Sequence, residues 1–236
     1  MLKKSVGSPL LSLLLLLLSV LSAAVCAQPV APAATATAAT NAKSGGSGVA
    51  KTNAPNIVIY GDSLSAAYGL PQGAGWPTLL QERLKQKKFN YNVVNVSISG
   101  ETSAGGAARI AITVRETRPA VLVLALGAND GLRGLPVAQL RDNLAAIIKA
   151  ARAVKCQVIV VGMRMPPNYG QRYTEQFQSS FTDLAKAQRL ALVPFLLEGV
   201  AQRPELFQQD QLHPTEAAQP LILENIWKAL QPLLKK

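Results

Sequence analysis

The chain of 236 residues contains one histidine, His213, which follows Asp210 by three positions. An imidazole can remove the proton from a serine hydroxyl, and a neighbouring carboxylate can orient the imidazole for that task. A separation of three positions brings Asp210 close enough to contact one ring nitrogen. Ser63 follows an apolar run that ends at Gly61, and we expect its hydroxyl at the N-terminus of a helix. The pattern predicts a nucleophilic serine activated by His213 and Asp210.

Three further groups could stabilise the oxyanion that forms when such a serine attacks a carbonyl. They are the backbone amides of Ser63 and Gly100 and the side-chain amide of Asn129. A glycine suits this task because it lets a substrate approach the backbone closely. Taken singly, each candidate has an ordinary structural explanation as a helix cap, a tight turn or a loop residue, and so do His213 and Asp210. Their placement in the fold decides between the two interpretations.

Five short apolar runs predict the strands that would position these residues. Amphipathic stretches separate them, which indicates helices packed on a core. Alternating strands and helices imply right-handed crossovers and an α/β fold, in which a parallel sheet of about five strands forms the middle of a three-layer α/β/α sandwich. The five runs are residues 57–60, 91–96, 120–126, 156–161 and 191–194.

Three amphipathic stretches carry a clear helical stripe of apolar residues. Pro220 should lie in the first turn of the last helix, so we expect residues 215–219 to form a separate short turn. Trp76 stands at a predicted helix start and is expected in the core rather than at a ligand. The stripes are Leu140, Leu144, Ile147, Ile148 and Ala151, then Phe177, Phe181 and Leu184, and finally Ile222, Ile226, Leu230 and Leu233.

Polar and glycine-rich clusters follow the predicted strands at one end. They occupy residues 61–65, 99–102 and 127–130 after the first three strands, and residues 210–214 beyond the fifth. Ligands of open parallel sheets gather beyond the carboxyl ends of the strands. Because every cluster falls on that same edge, the catalytic interpretation of Ser63, Gly100, Asn129, Asp210 and His213 is favoured over the ordinary ones.

Composition excludes several other classes of protein. Lys and Arg number 24 against 13 Asp and Glu, and 20 of the basic and all 13 acidic residues lie after position 54, which leaves a net charge of +7 there. Aromatic residues make up only 5%, and no basic stripe or nucleic-acid motif is visible, so we expect no nucleic-acid partner. One histidine excludes a multi-histidine metal centre, and two cysteines exclude a disulfide framework. Cys156, in an apolar run, is expected to be buried and inert.

The amino-terminal segment reads as a secretory signal over residues 1–27. Lys3 and Lys4 precede an almost unbroken leucine run, and small residues before Ala27 suit cleavage there. The alternatives are an uncleaved membrane anchor and a lipoprotein modified at Cys26. Residues 28–54, rich in Ala, Thr, Pro and Gly, predict a flexible linker. Residues 55–236 form the predicted catalytic domain, which we expect in the periplasm or outside the cell.

These residues resemble the SGNH-hydrolase superfamily. The GDSL sequence of residues 61–65 resembles its signature, and Gly100, the G-x-N-D block of residues 127–130 and the D-x-x-H block of residues 210–213 follow in the same order. The likeness is closer to the secreted bacterial subfamily of multifunctional acyl-CoA thioesterase I, arylesterase and lysophospholipase L1. It rests on GDSLSAAYGL (61–70), LGANDGLRG (126–134), GMRMPPNYG (162–170) and VPFLLEGV (193–200), and it covers about residues 55–234.

The resemblance implies a serine esterase of flavodoxin-like fold without metal or cofactor. It assigns Ser63 as nucleophile, His213 as general base and acid, and Asp210 as the orienting carboxylate, with Ser63, Gly100 and Asn129 as the oxyanion hole. The implied substrates are small acyl esters and thioesters, from aryl esters to fatty acyl-CoA and lysophospholipids, with contact to lipid substrates. Two positions depart from the family pattern, since Gln211 and Ala128 stand where glycine is common.

Acyl specificity is open at this point. The apolar segment of residues 163–169 could line an acyl groove with Met163, Met165, Pro166 and Tyr169, or it could be a rigid surface loop. A carbohydrate O-deacetylase on the same fold is the enzymatic alternative, and it would accept only acetyl groups. A non-catalytic binding protein is a further alternative, although such a protein should have lost a triad residue. We expect a monomer.

Overall fold

The computed structural model describes residues 54–236, and five parallel strands form the sheet at their centre. Every predicted strand is present, and its ends differ from the prediction by at most one residue. The apolar runs form strands because helices cover both faces of the sheet, so most side chains of the three central strands are buried, while those of the two edge strands are mostly half-buried. The strands are β1 (Asn56–Gly61), β2 (Asn92–Asn95), β3 (Pro119–Ala125), β4 (Gln157–Val161) and β5 (Ala191–Val193).

The strands lie in the order β2-β1-β3-β4-β5, and every neighbouring pair is parallel. This is the flavodoxin-like order, in which the chain first winds from β1 to β2 and then reverses towards β3. The reversal opens a crevice beyond the carboxyl ends of β1 and β3. The predicted α/β class with a parallel sheet of five strands is therefore confirmed.

Six helices complete the described part of the chain. The helix after β1 packs against the last helix, and the longer helices after β2, β3 and β4 pack in sequence on one another. The apolar stripe predicted at residues 140–151 lies on the longer helix after β3, and all of its residues are buried, as expected for a core-facing helix. The helices are α1 (Trp76–Gln86), α2 (Ser103–Thr117), α3 (Ala128–Leu132), α4 (Val137–Ala153), α5 (Gln171–Gln188) and α6 (Gln219–Leu230).

Prolines mark both ends of the last helix. Pro220 occupies the first turn of α6, and Glu216–Ala218 forms a separate 3-10 turn before it, as predicted. Helix α6 ends at Leu230, and a 3-10 turn of Gln231–Leu233 follows. Pro232 cannot donate a helical hydrogen bond, so the predicted stripe stops short of Leu233 in the α-helix proper.

Ser63 does not lie at a helix N-terminus, contrary to the sequence prediction. Residues 63–69 form consecutive turns instead, in which the amides of Ser65 and Ala66 both donate to the Asp62 carbonyl. Ala67 has a φ of 60° and Gly69 a φ of 73°, and such left-handed residues break a helix before it can begin. The nucleophile candidate thus sits on a tight turn directly after β1.

Two core predictions are confirmed. Trp76 begins α1 and is fully buried, where its amide donates to the Gln219 side chain across 3.0 Å. Cys156 is buried directly before β4, and burial raises the pKa of its thiol to about 12. A thiol with this pKa is protonated at neutral pH and therefore unreactive.

The predicted signal of residues 1–27 lies outside the described residues, as does the predicted linker apart from Ala54. Both remain predictions, together with the anchor and lipoprotein alternatives. None of the helices within residues 54–236 has the length and apolar character that crossing a bilayer requires.

Candidate active site

Ser63, His213 and Asp210 form one continuous hydrogen-bonded row. The Nε2 atom of His213 lies 2.9 Å from the Ser63 hydroxyl oxygen, and its Nδ1 atom lies 2.6 Å from Oδ2 of Asp210. Ser63 and His213 are 150 positions apart in the chain. The turn after β1 and the loop before α6 therefore meet at the carboxyl edge of the sheet, as the sequence predicted. In this arrangement, His213 can accept the serine proton at Nε2 while Nδ1–H donates to the carboxylate.

Asp210 is held as a carboxylate by donors from its own loop. Its Oδ1 atom accepts hydrogen bonds from the backbone amides of His213 at 3.0 Å and Leu212 at 2.9 Å. The His213 amide and ring and the Leu212 amide lower the pKa of Asp210 to about 2. A negative charge therefore faces Nδ1 of His213 at neutral pH, which favours the tautomer that leaves Nε2 free to accept.

A short hairpin-like loop carries both residues. Phe207 and Pro214 form an isolated antiparallel bridge, and the Gln208 amide donates to the His213 carbonyl across 2.8 Å. The Gln208 side chain also donates to the carbonyls of Tyr68 at 2.9 Å and Pro214 at 3.1 Å. This side chain links the His213 loop directly to the turn of Ser63.

The turn that carries Ser63 depends on two close contacts. Oδ1 of Asp62 accepts the Leu64 amide at 3.0 Å, which fixes the turn around the intervening serine. A Cβ atom on Gly61 would lie 2.7 Å from the Ser65 hydroxyl and 3.0 Å from the Ala125 carbonyl, so only glycine fits there. Asp62 is almost fully buried, and desolvation raises its pKa to about 7.

The predicted oxyanion donors converge on the same space. Ser63, Gly100 and Asn129 border one cavity beside His213. Gly100 has a φ of 79°, a conformation that L-residues with side chains rarely adopt. The Asn129 side chain donates one hydrogen to the Glu101 carbonyl at 3.0 Å. A primary amide has two donors, so its second hydrogen remains for a ligand.

Charged side chains hold the Gly100 loop from behind. The carboxylate of Glu101 is buried against Arg109, whose Nε lies 2.8 Å and 3.0 Å from its two oxygens. The Arg109 guanidinium lies 4.0 Å above the Tyr60 ring, where a cation–π contact is favourable. Arg133 donates to the Gly100 carbonyl across 3.0 Å. The loop is therefore held at two points, the Glu101 side chain and the Gly100 carbonyl.

A mostly apolar cavity of about 620 Å³ extends from Ser63. Met163, Met165 and Pro166 border it, as the groove interpretation expects. Tyr169 does not border it. Its hydroxyl donates to the Leu132 carbonyl at 3.1 Å, and its ring stacks on Tyr173, so it supports the wall from outside.

The structure therefore brings the triad candidates and the oxyanion candidates together. The sequence did not single out Tyr68, whose ring lies 4.6 Å from the His213 ring, nor the supporting residues Glu101, Arg109 and Arg133. Tyr68 and Arg133 lie inside the GDSLSAAYGL and LGANDGLRG blocks. Their position within these blocks was the only sequence feature that pointed to them. It did not indicate which residues they would contact.

The two departures from the family pattern have different backbone settings. Gln211 has a φ of 55°, which glycine would adopt without strain. Ala128 is the first residue of α3, and a helical position accepts alanine readily. Among residues 54–236, no group of three or more His, Cys, Asp or Glu side chains is arranged to hold a metal ion.

The sequence is similar to proteins named as hydrolases over most of its length. Esterase TesA of Pseudomonas aeruginosa is 49% identical over 181 residues, which span 77% of this chain and 90% of that protein. Thioesterase 1/protease 1/lysophospholipase L1 of Escherichia coli K12 is 39% identical over 181 residues, which span 77% of this chain and 86% of that protein.

The fold also matches solved structures over about three quarters of this chain. The crystal structure of TesA superposes with a TM-score of 0.74 at 49% identity, and the match covers 76% of this chain and 99% of that one. The psychrotrophic esterase EstA from Pseudoalteromonas sp. gives a TM-score of 0.72 at 40% identity, over 75% of this chain and 97% of that one. The sequence pattern of the GDSL-like Lipase/Acylhydrolase family matches residues 59–220. With the site geometry and these relatives in agreement, the chain belongs to the GDSL-like lipase/acylhydrolase family.

Proposed function

We propose that this protein is a serine esterase that hydrolyses acyl esters and thioesters through an acyl-enzyme on Ser63. The observation that carries the proposal is the row of 2.9 Å and 2.6 Å contacts that joins Ser63 to His213 and His213 to Asp210. This row opens onto an apolar cavity beside Gly100 and Asn129. Relatives named esterase, thioesterase, lysophospholipase and arylesterase support the same reaction class.

The first half of the reaction forms the acyl-enzyme. The Ser63 oxygen attacks the acyl carbon while its proton moves to Nε2 of His213. The carbonyl oxygen becomes an oxyanion that accepts from the Gly100 amide, the Ser63 amide and the Asn129 side chain. The tetrahedral intermediate then collapses, the bond to the leaving alcohol or thiol breaks, and His213 returns the proton to that leaving group.

The second half releases the acid. A water gives its proton to Nε2 of His213 as its oxygen attacks the ester carbon of the acyl-Ser63. The same donors hold the second oxyanion, and collapse frees the carboxylic acid while the proton returns to the Ser63 oxygen. Asp210 keeps its negative charge throughout, consistent with a pKa of about 2, and stabilises the imidazolium that forms in each half.

The cavity favours acyl chains over acetyl groups. A volume of about 620 Å³ bordered by Met163, Met165 and Pro166 exceeds what an acetyl group needs, and methionine side chains adapt to differing chain lengths. We therefore place the acyl chain along this wall and expect medium or long chains to be accepted. The O-deacetylase alternative predicts activity on acetate alone.

The test is hydrolysis of p-nitrophenyl esters from acetate to palmitate by residues 54–236. This range contains the whole sheet and its helices, and a solved relative that is matched over 99% of its own length folds on its own. We expect activity on medium chains, and a loss of about 10⁴-fold or more in kcat for Ser63→Ala. Ser179→Ala is the matched control and should retain full activity, because this half-buried residue of α5 donates its hydroxyl to the Gln176 carbonyl and borders no part of the cavity.

A covalent probe gives an independent result. A phosphonate monoester with a good leaving group should add to the Ser63 oxygen with loss of that group, and mass spectrometry of the digested protein locates the adduct. The Pseudoalteromonas esterase is described as inhibited by monoethylphosphonate, which supports this choice. An adduct on any other residue, or full activity of Ser63→Ala, contradicts the proposal.

We also propose export through residues 1–27 and a monomeric enzyme. Expression of the whole chain in a bacterium, followed by mass measurement of the purified product, tests cleavage after Ala27. A mass that retains the leader, or that carries a lipid on Cys26, contradicts it. Light scattering on the same sample measures the oligomeric state.

A further inference from the structure

Exposed large apolar side chains are concentrated around the mouth of the cavity. Six such residues occur within residues 54–236, and four of them lie on loops or a short helix at the carboxyl edge of the sheet. Soluble proteins rarely expose clustered apolar side chains unless the cluster contacts a partner or a membrane. We call these four residues the rim: Tyr68 (52% exposed), Ile98 (50%), Leu132 (38%) and Leu212 (51%).

The rim residues come from four separate segments that meet at one place. Tyr68, Leu132 and Leu212 each border the cavity directly. Ile98 immediately precedes Ser99 and Gly100, which also border it. The apolar side chains therefore surround the route by which a substrate reaches Ser63. Two further exposed apolar residues, Ile112 on α2 and Val154 after α4, border no part of this cavity.

An unpaired positive charge lies beside the rim. Arg133 is exposed next to Leu132, and its guanidinium donates to the Gly100 carbonyl without pairing with any carboxylate of the described residues. The Asp210 carboxylate at the mouth is paired with His213, and Glu101 is buried against Arg109. The chain after residue 54 carries a net charge of +7. An apolar surface with an adjacent cation suits a layer of anionic head groups over acyl chains.

We propose that the rim docks this protein onto the surface of an anionic phospholipid bilayer. Tyr68, Ile98, Leu132 and Leu212 enter the head-group region, and the Arg133 guanidinium contacts lipid phosphate. The mouth of the cavity then faces the bilayer, so a lipid acyl ester reaches Ser63 without crossing water. This docking proposal depends on the proposed function in one respect, because it takes lipid acyl esters as the substrates of Ser63.

The test measures vesicle binding with hydrolysis switched off. Residues 54–236 carrying Ser63→Ala are mixed with vesicles of phosphatidylcholine, alone or with one third phosphatidylglycerol, and the bound fraction is measured by sedimentation. We expect binding to the anionic vesicles to exceed binding to the neutral ones by about tenfold at low salt. The added double substitution Leu132→Ser/Leu212→Ser should weaken anionic binding by about fivefold or more, because two half-exposed leucines leave the interface.

The matched control is the double substitution Ile112→Ser/Val154→Ser in the same Ser63→Ala background. These side chains are as exposed as the rim, but they lie away from the cavity, so vesicle binding should not change. Arg133→Gln should lower the ratio of anionic to neutral binding. Thermal unfolding of each variant checks that it is folded.

Several results would overturn the docking proposal. Equal binding to both vesicle types, equal losses in the rim and control pairs, or no vesicle binding would each do so. A dimer that dissociates in the rim variant and binds no vesicles would assign the rim to a second copy of the chain. Vesicle binding is measured in the Ser63→Ala background, so it is independent of hydrolysis. If the parent protein hydrolyses soluble esters but the variant binds no vesicles, only the docking proposal is overturned. If the variant binds vesicles but the parent hydrolyses no ester, only the proposed function is overturned.

Discussion

The side-chain amide of Asn129 donates to the main-chain carbonyl of Glu101 across 3.0 Å. This bond joins the start of α3 to the loop that carries Gly100, so two oxyanion donors that follow different strands are held in a fixed relative position. The next residue repeats the connection, since Asp130 accepts the Ser103 amide at 2.8 Å and its hydroxyl at 2.5 Å. The donors are therefore fixed before a substrate arrives, which is the condition for strong oxyanion stabilisation.

Asn129→Ala should lower kcat by about 10²- to 10³-fold, the usual cost of one lost oxyanion donor, with a smaller change in KM. Steady-state kinetics on a p-nitrophenyl ester measures both constants. Asn56→Ala is the control, because Asn56 also donates to a backbone carbonyl, that of Thr117, but at the opposite end of the sheet. Equal losses in the two variants would mean that Asn129 acts through stability alone.

Arg109 is a positioning residue, and Arg109→Met should lower kcat by about tenfold to a hundredfold with little change in KM. Without the guanidinium, the buried Glu101 carboxylate loses its partner, and a small shift of the Gly100 loop misplaces an oxyanion donor. Arg109→Lys should recover part of the loss, since it restores the charge without the paired geometry.

Arg83→Met provides a matched comparison for Arg109→Met. Arg83 also pairs with a carboxylate, that of Glu224, and also lies over an aromatic ring, 5.5 Å from the centre of Trp227. It borders none of the catalytic loops, so we expect its kcat to match the parent protein. If Arg83→Met and Arg109→Met reduced kcat alike, the positioning role of Arg109 would be refuted.

Asp62 makes stability depend on pH. Desolvation is the largest influence on its carboxyl, the Asp130 charge adds to it, and the Leu64 amide and the charge of His213 oppose it, with a net pKa of about 7. The pKa of an aspartate in an unfolded chain is about 3.9. Because the folded pKa is the higher one, the contribution of Asp62 to stability is full below about pH 4 and is lost as the pH rises towards about 7.

Asp62→Asn should remove this loss. Its side-chain oxygen still accepts the Leu64 amide, while the buried position holds no charge at any pH. Urea unfolding at pH 4.5 and pH 7.5 measures the free energy of unfolding of both proteins. We expect the difference in this free energy, variant minus parent, to be larger at pH 7.5 than at pH 4.5 by on the order of a few kcal/mol. A margin that stays constant between the two pH values would show that Asp62 is not titrating in this range.

Strand positions were predictable because the sheet is covered on both faces. A doubly buried strand needs an unbroken apolar run, and 120–126 or 156–161 can form little else in a chain of this composition. The convergence of Ser63, Asn129 and His213 followed from the same fact, since parallel strands place their following loops on one edge.

Contacts between loops were not predictable in the same way. Residues 63–69 form turns instead of a helix because of positive φ values at Ala67 and Gly69, and an alanine gives no warning of such a conformation. The stacking of Arg109 on Tyr60 and the bond from Arg133 to Gly100 join residues distant in sequence, which no local periodicity encodes. Tyr169 has the apolar character of a groove residue, yet its hydroxyl bond to Leu132 turns it away from the cavity.

Gln211 tests how strictly the His213 loop needs its left-handed residue. With a φ of 55° between Asp210 and His213, position 211 should accept glycine but reject a β-branched side chain, for which this conformation is a strong outlier. We expect Gln211→Gly to keep kcat/KM within about twofold, because relief of strain offsets the greater entropy of the unfolded glycine. Gln211→Val should lower kcat/KM by about tenfold or more, since the loop must shift and the 2.9 Å contact between His213 and Ser63 lengthens. Steady-state kinetics of both variants and the parent measures kcat/KM. If Gln211→Val were as active as Gln211→Gly, the loop would hold His213 in place independently of position 211.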